Sequence, residues 1–92
     1  MSIHWLFDVI EDRKKNPSEK SYTSSLFKDG LPKIAQKVGE EGMEVVVAAL
    51  SQNDERLIQE VADLMYHTLV LLSARGIDPA QVLDELQKRH RG

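Results

Sequence analysis

The chain has 92 residues, 41% hydrophobic and 29% charged, with no cysteine and a net charge of −3. These values fit one small soluble domain over residues 1–92, leaving no room for a separate cofactor domain. They exclude disulfide frameworks, thiolate zinc sites and thiol nucleophiles, and argue against a general nucleic-acid binder.

The opening, Met1-Ser2-Ile3-His4-Trp5-Leu6, lacks the basic lead-in of a secretory signal, and no apolar run approaches the ~18 residues of a spanning helix. The expected compartment is the cytoplasm. Ile3, Leu6, Phe7 and Ile10 keep the i, i+3, i+4, i+7 spacing of one helix face. Trp5 and Val9 widen that stripe, so Trp5, Leu6 and Phe7 are expected in a core or dimer seam. Asn16-Pro17 ends the helix. Ser18 to Gly30 is rich in hydroxyls and closes on Asp-Gly, which predicts a loop of about a dozen residues.

A second helix is expected from about Pro32, a good first-turn residue, to about Ser51. Gln52-Asn53 makes a tight connection, and Asn53 caps a third helix running from Asp54 to Arg75, where Gly76 stops it. Asp78-Pro79-Ala80-Gln81 is a capping box with proline at its first turn, opening a fourth helix that reaches about His90. The predicted fold is all-α: a four-helix chain with a central antiparallel helix hairpin. Between Val61 and Leu72 the third helix is apolar almost all round, which implies burial on several faces. In a chain this short the cover expected is a second copy, giving a dimeric helical bundle. His4 and His90 are expected at the surface, and Met43 and Met65 against apolar neighbours.

Charge is unevenly spread. From Arg13 to Lys37 there are seven bases and two acids; from Val38 to Asp63 there are seven acids and one base, Arg56. The pattern fits two solvated faces. It also fits a metal-dependent phosphate site, with carboxylates for the cation and ammonium groups for the remaining phosphate charge.

Two strings concentrate the acids: Glu40-Glu41-Gly42-Met43-Glu44 and Glu60-Val61-Ala62-Asp63. Glu40 and Glu44 lie one helical turn apart, and Glu60 and Asp63 share a face. A hairpin centred between Gln52 and Asn53 sets Glu44 level with Val61 and Glu41 level with Leu64. Up to four carboxylates then converge. Either the face is wet and the side chains splay, or a cation holds them. Oxygen-only ligation selects hard ions, Mg²⁺ first and Mn²⁺ second, and Mg²⁺ tends to share its sphere with phosphates. Glu60 and Asp63 precede an apolar run, which places them away from free surface. Gly39 and Gly42 inside a helix each cost ~1 kcal/mol relative to Ala, which suggests a close approach by a ligand or neighbouring helix.

Lys37 to Ala49 and Glu60 to His67 resemble the phosphoribosyl-ATP pyrophosphohydrolase family, within the all-α, MazG-like nucleoside triphosphate pyrophosphohydrolases. The hallmark is Glu-Glu-x-x-Glu followed by Glu-x-x-Asp; Ser21-Tyr22-Thr23 and Tyr66-His67 narrow it to this family. The resemblance runs from about Ser21 to Ala74. It implies Mg²⁺-dependent hydrolysis of phosphoribosyl-ATP to phosphoribosyl-AMP and pyrophosphate, the second step of histidine biosynthesis, in a homodimer. Glu40, Glu41, Glu44, Glu60 and Asp63 are the implied metal ligands or metal-proximal bases, and Glu41 is the candidate general base. Spacing alone leaves base and ligand interchangeable among the first three. Lys37 and Lys33 are candidate phosphate contacts, although Lys37 also suits ion pairs with Glu40 and Glu41. Tyr22, Thr23 and Lys28 are candidate contacts to the ribose phosphates. His67 is either a substrate contact, an orienting partner for Asp63, or a satisfied core histidine. Two alternatives accompany this reading: a housekeeping nucleoside triphosphate pyrophosphohydrolase, and a non-catalytic helical dimerisation module. No membrane or nucleic-acid partner is expected.

Overall fold

A computed structural model of the chain describes residues 3–90. Met1 and Ser2, where the segment read for a secretory lead-in begins, lie outside them. Among the described residues the chain is entirely helical: α1 His4–Lys15, α2 Tyr22–Asp29, α3 Leu31–Ser51, α4 Asp54–Ala74 and α5 Pro79–Arg89. None of these helices is long and apolar enough to cross a membrane.

Five helices replace the expected four, because the hydroxyl-rich segment is not a loop. Ser21 is an N-cap whose hydroxyl accepts from the Ser24 amide at 3.1 Å, and α2 follows directly. Leu26 then inserts into the core, where it is buried. The alternation of serines and apolar residues is the surface of a short amphipathic helix. Gly30 closes α2 and opens α3 at φ 95°, a conformation natural to glycine.

The other boundaries follow the sequence signals. Asn53 Oδ1 accepts from the Arg56 amide at 2.9 Å and starts α4. The end of α4 is a Schellman turn: Gly76 at φ 69° donates to the Ser73 carbonyl, and Ile77 donates to the Leu72 carbonyl. The capping box at Asp78 and Gln81 is formed, with Pro79 in the first turn.

The core gathers Phe7, Ile10, Leu26, Ile34, Leu69 and Val70 from α1, α2, α3 and α4. Lys14 Nζ reaches the Ser73 carbonyl at 2.7 Å, and the Ser73 hydroxyl donates to Glu11 at 3.0 Å. These bonds fasten α1 to the end of α4. Trp5 sits outside the core and is 53% exposed, whereas Phe7 is buried and Leu6 packs against the core. Met43 and Met65 are exposed in the single chain. They belong to an apolar surface that also includes Val46, Val47 and Leu50 of α3 and Ile58 and Val61 of α4. The close approach read from the helical glycines is not made within one chain: a Cβ at Gly39 or Gly42 would meet nothing within 4 Å.

Candidate metal centre on the α3–α4 pair

The two-residue connection at Gln52-Asn53 lets α3 and α4 lie against each other, and their facing sides carry Glu41, Ala48, Glu60 and His67, all buried. Carboxylate oxygens of Glu41, Glu60 and Asp63 come within 4.8 Å of one another. Glu41 is 6% exposed and Glu60 5% exposed, while Asp63 stands at the exposed rim and not away from free surface as expected. Glu44 is exposed but close enough to both Glu41 and Glu60 to perturb them.

The inner oxygens decide the chemistry. Glu41 Oε2 and Glu60 Oε2 are fully buried and have no hydrogen-bond partner. A buried polar atom without a partner is costly, and a buried carboxylate oxygen more so. Both carboxyls respond as such a site demands. Burial, together with the nearby Glu44 carboxylate, raises the pKa of Glu41 against the pull of His67 and Lys37. Hydrogen bonding with Glu44, then burial, raises Glu60 against Arg56. A divalent cation facing these oxygens would supply the missing partner and cancel the repulsion. The donor set is oxygen only, which suits a hard ion.

Glu40 stands apart from this trio. It is exposed, accepts from Gln36 Nε2 at 3.0 Å and lies 3.7 Å from Lys37; Gln36, with Lys37 and Lys33, lowers its pKa. Lys37 also lies 3.6 Å from Glu41. Its partial desolvation pulls its pKa down, but Tyr22, Glu41 and Glu40 together raise it. The expected ion pairs of Lys37 are therefore formed. Lys33 is exposed.

His67 is buried and satisfied. Its Nδ1–H donates to the Asp63 carbonyl at 2.7 Å, which in the neutral ring leaves Nε2 to accept from the Tyr22 hydroxyl at 3.0 Å. It therefore meets the backbone of Asp63 and not the carboxylate. Thr23 hydrogen-bonds the Tyr66 hydroxyl, and Tyr66 packs edge-on to His67 with ring centroids 4.9 Å apart. Tyr22 and Thr23 thus tie α2 to α4 beside Lys37. Lys28 lies elsewhere, with Arg13 and Lys14 around a cavity of about 580 Å³ between α1 and α2.

Arg56 was not singled out by the sequence reading. Its guanidinium donates to Glu60 Oε1 at 2.6 Å and to Gln59 at 2.7 Å. The i, i+4 spacing of Arg56 and Glu60 was the available signal.

Residues 4–90 match the family described as phosphoribosyl-ATP pyrophosphohydrolase. The chain is 53% identical to phosphoribosyl-ATP pyrophosphatase from Clostridium acetobutylicum, over 92% of this chain and 77% of that protein. It is 51% identical to the protein of the same name from Sulfurisphaera tokodaii, over 91% and 89% respectively. For the Pyrobaculum calidifontis protein, also so named, identity is 50% over 97% of this chain and 98% of the relative. With the acidic centre and the family match both in hand, the chain belongs to the phosphoribosyl-ATP pyrophosphohydrolase family.

Proposed function

We propose that the chain hydrolyses phosphoribosyl-ATP to phosphoribosyl-AMP and pyrophosphate at the Glu41, Glu60 and Asp63 cluster, with Mg²⁺, as the second step of histidine biosynthesis. The observation that carries this reading is the pair of buried carboxylate oxygens, Glu41 Oε2 and Glu60 Oε2, with no partner from the chain. Family membership supplies the substrate.

Glu41, Glu60 and Asp63 would hold the ion, with Glu44 beside them and Mn²⁺ as a substitute. When bound, the ion neutralises triphosphate charge and makes a bound water more acidic. Glu41 faces the same space, and an oxygen of it not engaged by the ion accepts the proton of the attacking water. The water oxygen bonds to phosphorus, the anhydride P–O bond breaks, and pyrophosphate leaves. Glu40 holds Lys37 beside the cluster, where its ammonium faces phosphate charge, with Lys33 one turn away. Tyr22 and Thr23 border the phosphoribosyl end, His67 fixes Tyr22, and Lys28 contributes positive field from the far side of α2.

The active form is a homodimer in the cytoplasm. The α3–α4 pair acts as an antiparallel hairpin that a second copy covers across Met43, Val46, Leu50, Ile58 and Met65, all exposed in the single chain. The decisive assay offers the purified protein phosphoribosyl-ATP and, separately, ATP and other nucleoside triphosphates, with and without Mg²⁺. Pyrophosphate release from phosphoribosyl-ATP, dependent on Mg²⁺, is expected. Better turnover of the ordinary triphosphates would favour a housekeeping pyrophosphohydrolase. No release from any of them would return the chain to a dimerisation module.

A further inference from the structure

The carboxylate cluster has a cation at each end. On one side Lys37 lies 3.7 Å from Glu40 and 3.6 Å from Glu41. On the other, Arg56 lies 2.6 Å from Glu60. Along the paired helices the order is Lys37, then Glu41 with Asp63, then Glu44 with Glu60, then Arg56. At about 1.5 Å of rise per residue, Lys37 and Glu44 are separated by about 10 Å. The groove therefore alternates positive, negative, positive along its length, a pattern suited to a polyphosphate bridged by a cation.

The two ends differ in what lines them. Beside Lys37 lies the half-exposed Tyr22 ring, an aromatic and polar surface. At the other end, Glu44, Val47, Gln52, Arg56 and Glu60 line a cavity of about 210 Å³. That cavity opens to solvent beside the carboxylates and takes phosphate groups within reach of Arg56. Arg56 is suited to them. Its guanidinium has five N–H donors in a planar fork. Contacts to Glu60 and Gln59 commit two, and the side chain is 50% exposed against 7% for Glu60.

From this asymmetry we propose that Arg56 binds the pyrophosphate end of the substrate. The triphosphate then lies along the groove with its terminal phosphates toward the Gln52-Asn53 connection and its phosphoribosyl end toward Tyr22. This rests on the phosphoribosyl-ATP reading and adds a direction to it. Because Glu44 and Glu60 line the same cavity, an anion enters only when a divalent ion offsets them, so the site is bipartite: Arg56 and the ion together.

Titration calorimetry of each product separately, with Mg²⁺, tests the direction. Arg56→Gln is expected to weaken pyrophosphate binding about tenfold or more, the loss of a charge-assisted contact. Phosphoribosyl-AMP binding should stay within about threefold of the wild-type protein. Arg56→Lys should fall between, and it carries the test if Arg56→Gln fails to fold. Mn²⁺ affinity without pyrophosphate, read by electron paramagnetic resonance, should also stay within about threefold. Unchanged pyrophosphate binding, equal weakening of both products, or a Mn²⁺ loss matching the pyrophosphate loss would each overturn the proposal; the last would mean that Arg56 acts only by holding Glu60. A wild-type protein that binds pyrophosphate through Arg56 yet releases none from phosphoribosyl-ATP would leave this site standing and remove the substrate assignment.

Discussion

Around Phe7, Ile10, Leu26, Ile34, Leu69 and Val70 the chain buries apolar side chains; from Glu41 to Glu60 it buries carboxylates while Val46, Val47, Leu50 and Ile58 stay exposed. The first region is complete within one chain. The second inverts the usual partition, and both inversions carry a cost: desolvated carboxylate oxygens without partners, and apolar area left in water at ~25 cal/mol per Å². On the proposed function, an ion and a second copy would offset these two costs, and the chemistry would sit in the second region.

Substitutions in each region should therefore act in opposite ways. The largest effect is expected for Glu60→Gln, which should lower divalent-ion affinity on the order of 100-fold and activity with it. In the metal-free protein the same change removes repulsion with Glu44, so the melting temperature should hold or rise; a fall would make Glu60 a structural residue. Ile34→Ala should do the reverse, costing about 2–5 kcal/mol in denaturant unfolding through the cavity it leaves. Leu50→Ala separates chain from assembly: within a lone chain its effect should stay within about 0.5 kcal/mol. A larger loss where the protein is concentrated, shrinking toward that value on dilution and followed by sedimentation, is the expected mark of a covering copy.

The pH dependence of the metal-free protein follows from the two raised carboxyls. A folded-state pKa above the unfolded value means the folded chain binds the proton more tightly. The contribution of Glu41 and Glu60 is then greatest below the ordinary glutamate pKa of about 4.3 and is lost as pH rises through their raised values. Melting temperatures across that range should show the decline, and Glu41→Gln should reduce it; an unaltered profile would mean that Glu41 does not titrate in this way. The smallest effect is expected for Tyr22→Phe, which deletes the hydrogen bond to His67 and should cost about 0.5–1.5 kcal/mol in unfolding experiments.

The helix boundaries were legible where a local signal fixes them: the cap at Asn53, the stop at Gly76 and the box at Asp78 each act within a few residues. The α2 helix was not, because eight residues rich in serine carry little propensity, and its stability comes from Leu26 in the core and from tertiary bonds of Tyr22 and Thr23. Spacing brought Glu41, Glu44, Glu60 and Asp63 to one place, since helical rise and a short connection suffice for that. It did not separate buried Glu41 from exposed Glu40, a matter of side-chain direction between adjacent residues. Nor did it reveal the partner of His67, which comes from a helix 45 residues away in sequence.

The partnerless inner oxygens of Glu41 and Glu60, with Asp63 at the rim, form the proposed seat of a divalent ion. Crystals soaked in Mn²⁺ and measured where manganese scatters anomalously test it most directly. An anomalous peak is expected bounded by the carboxylates of Glu41, Glu60 and Asp63, with Glu44 beside it. A peak elsewhere, or none with those side chains turned into solvent, would contradict it.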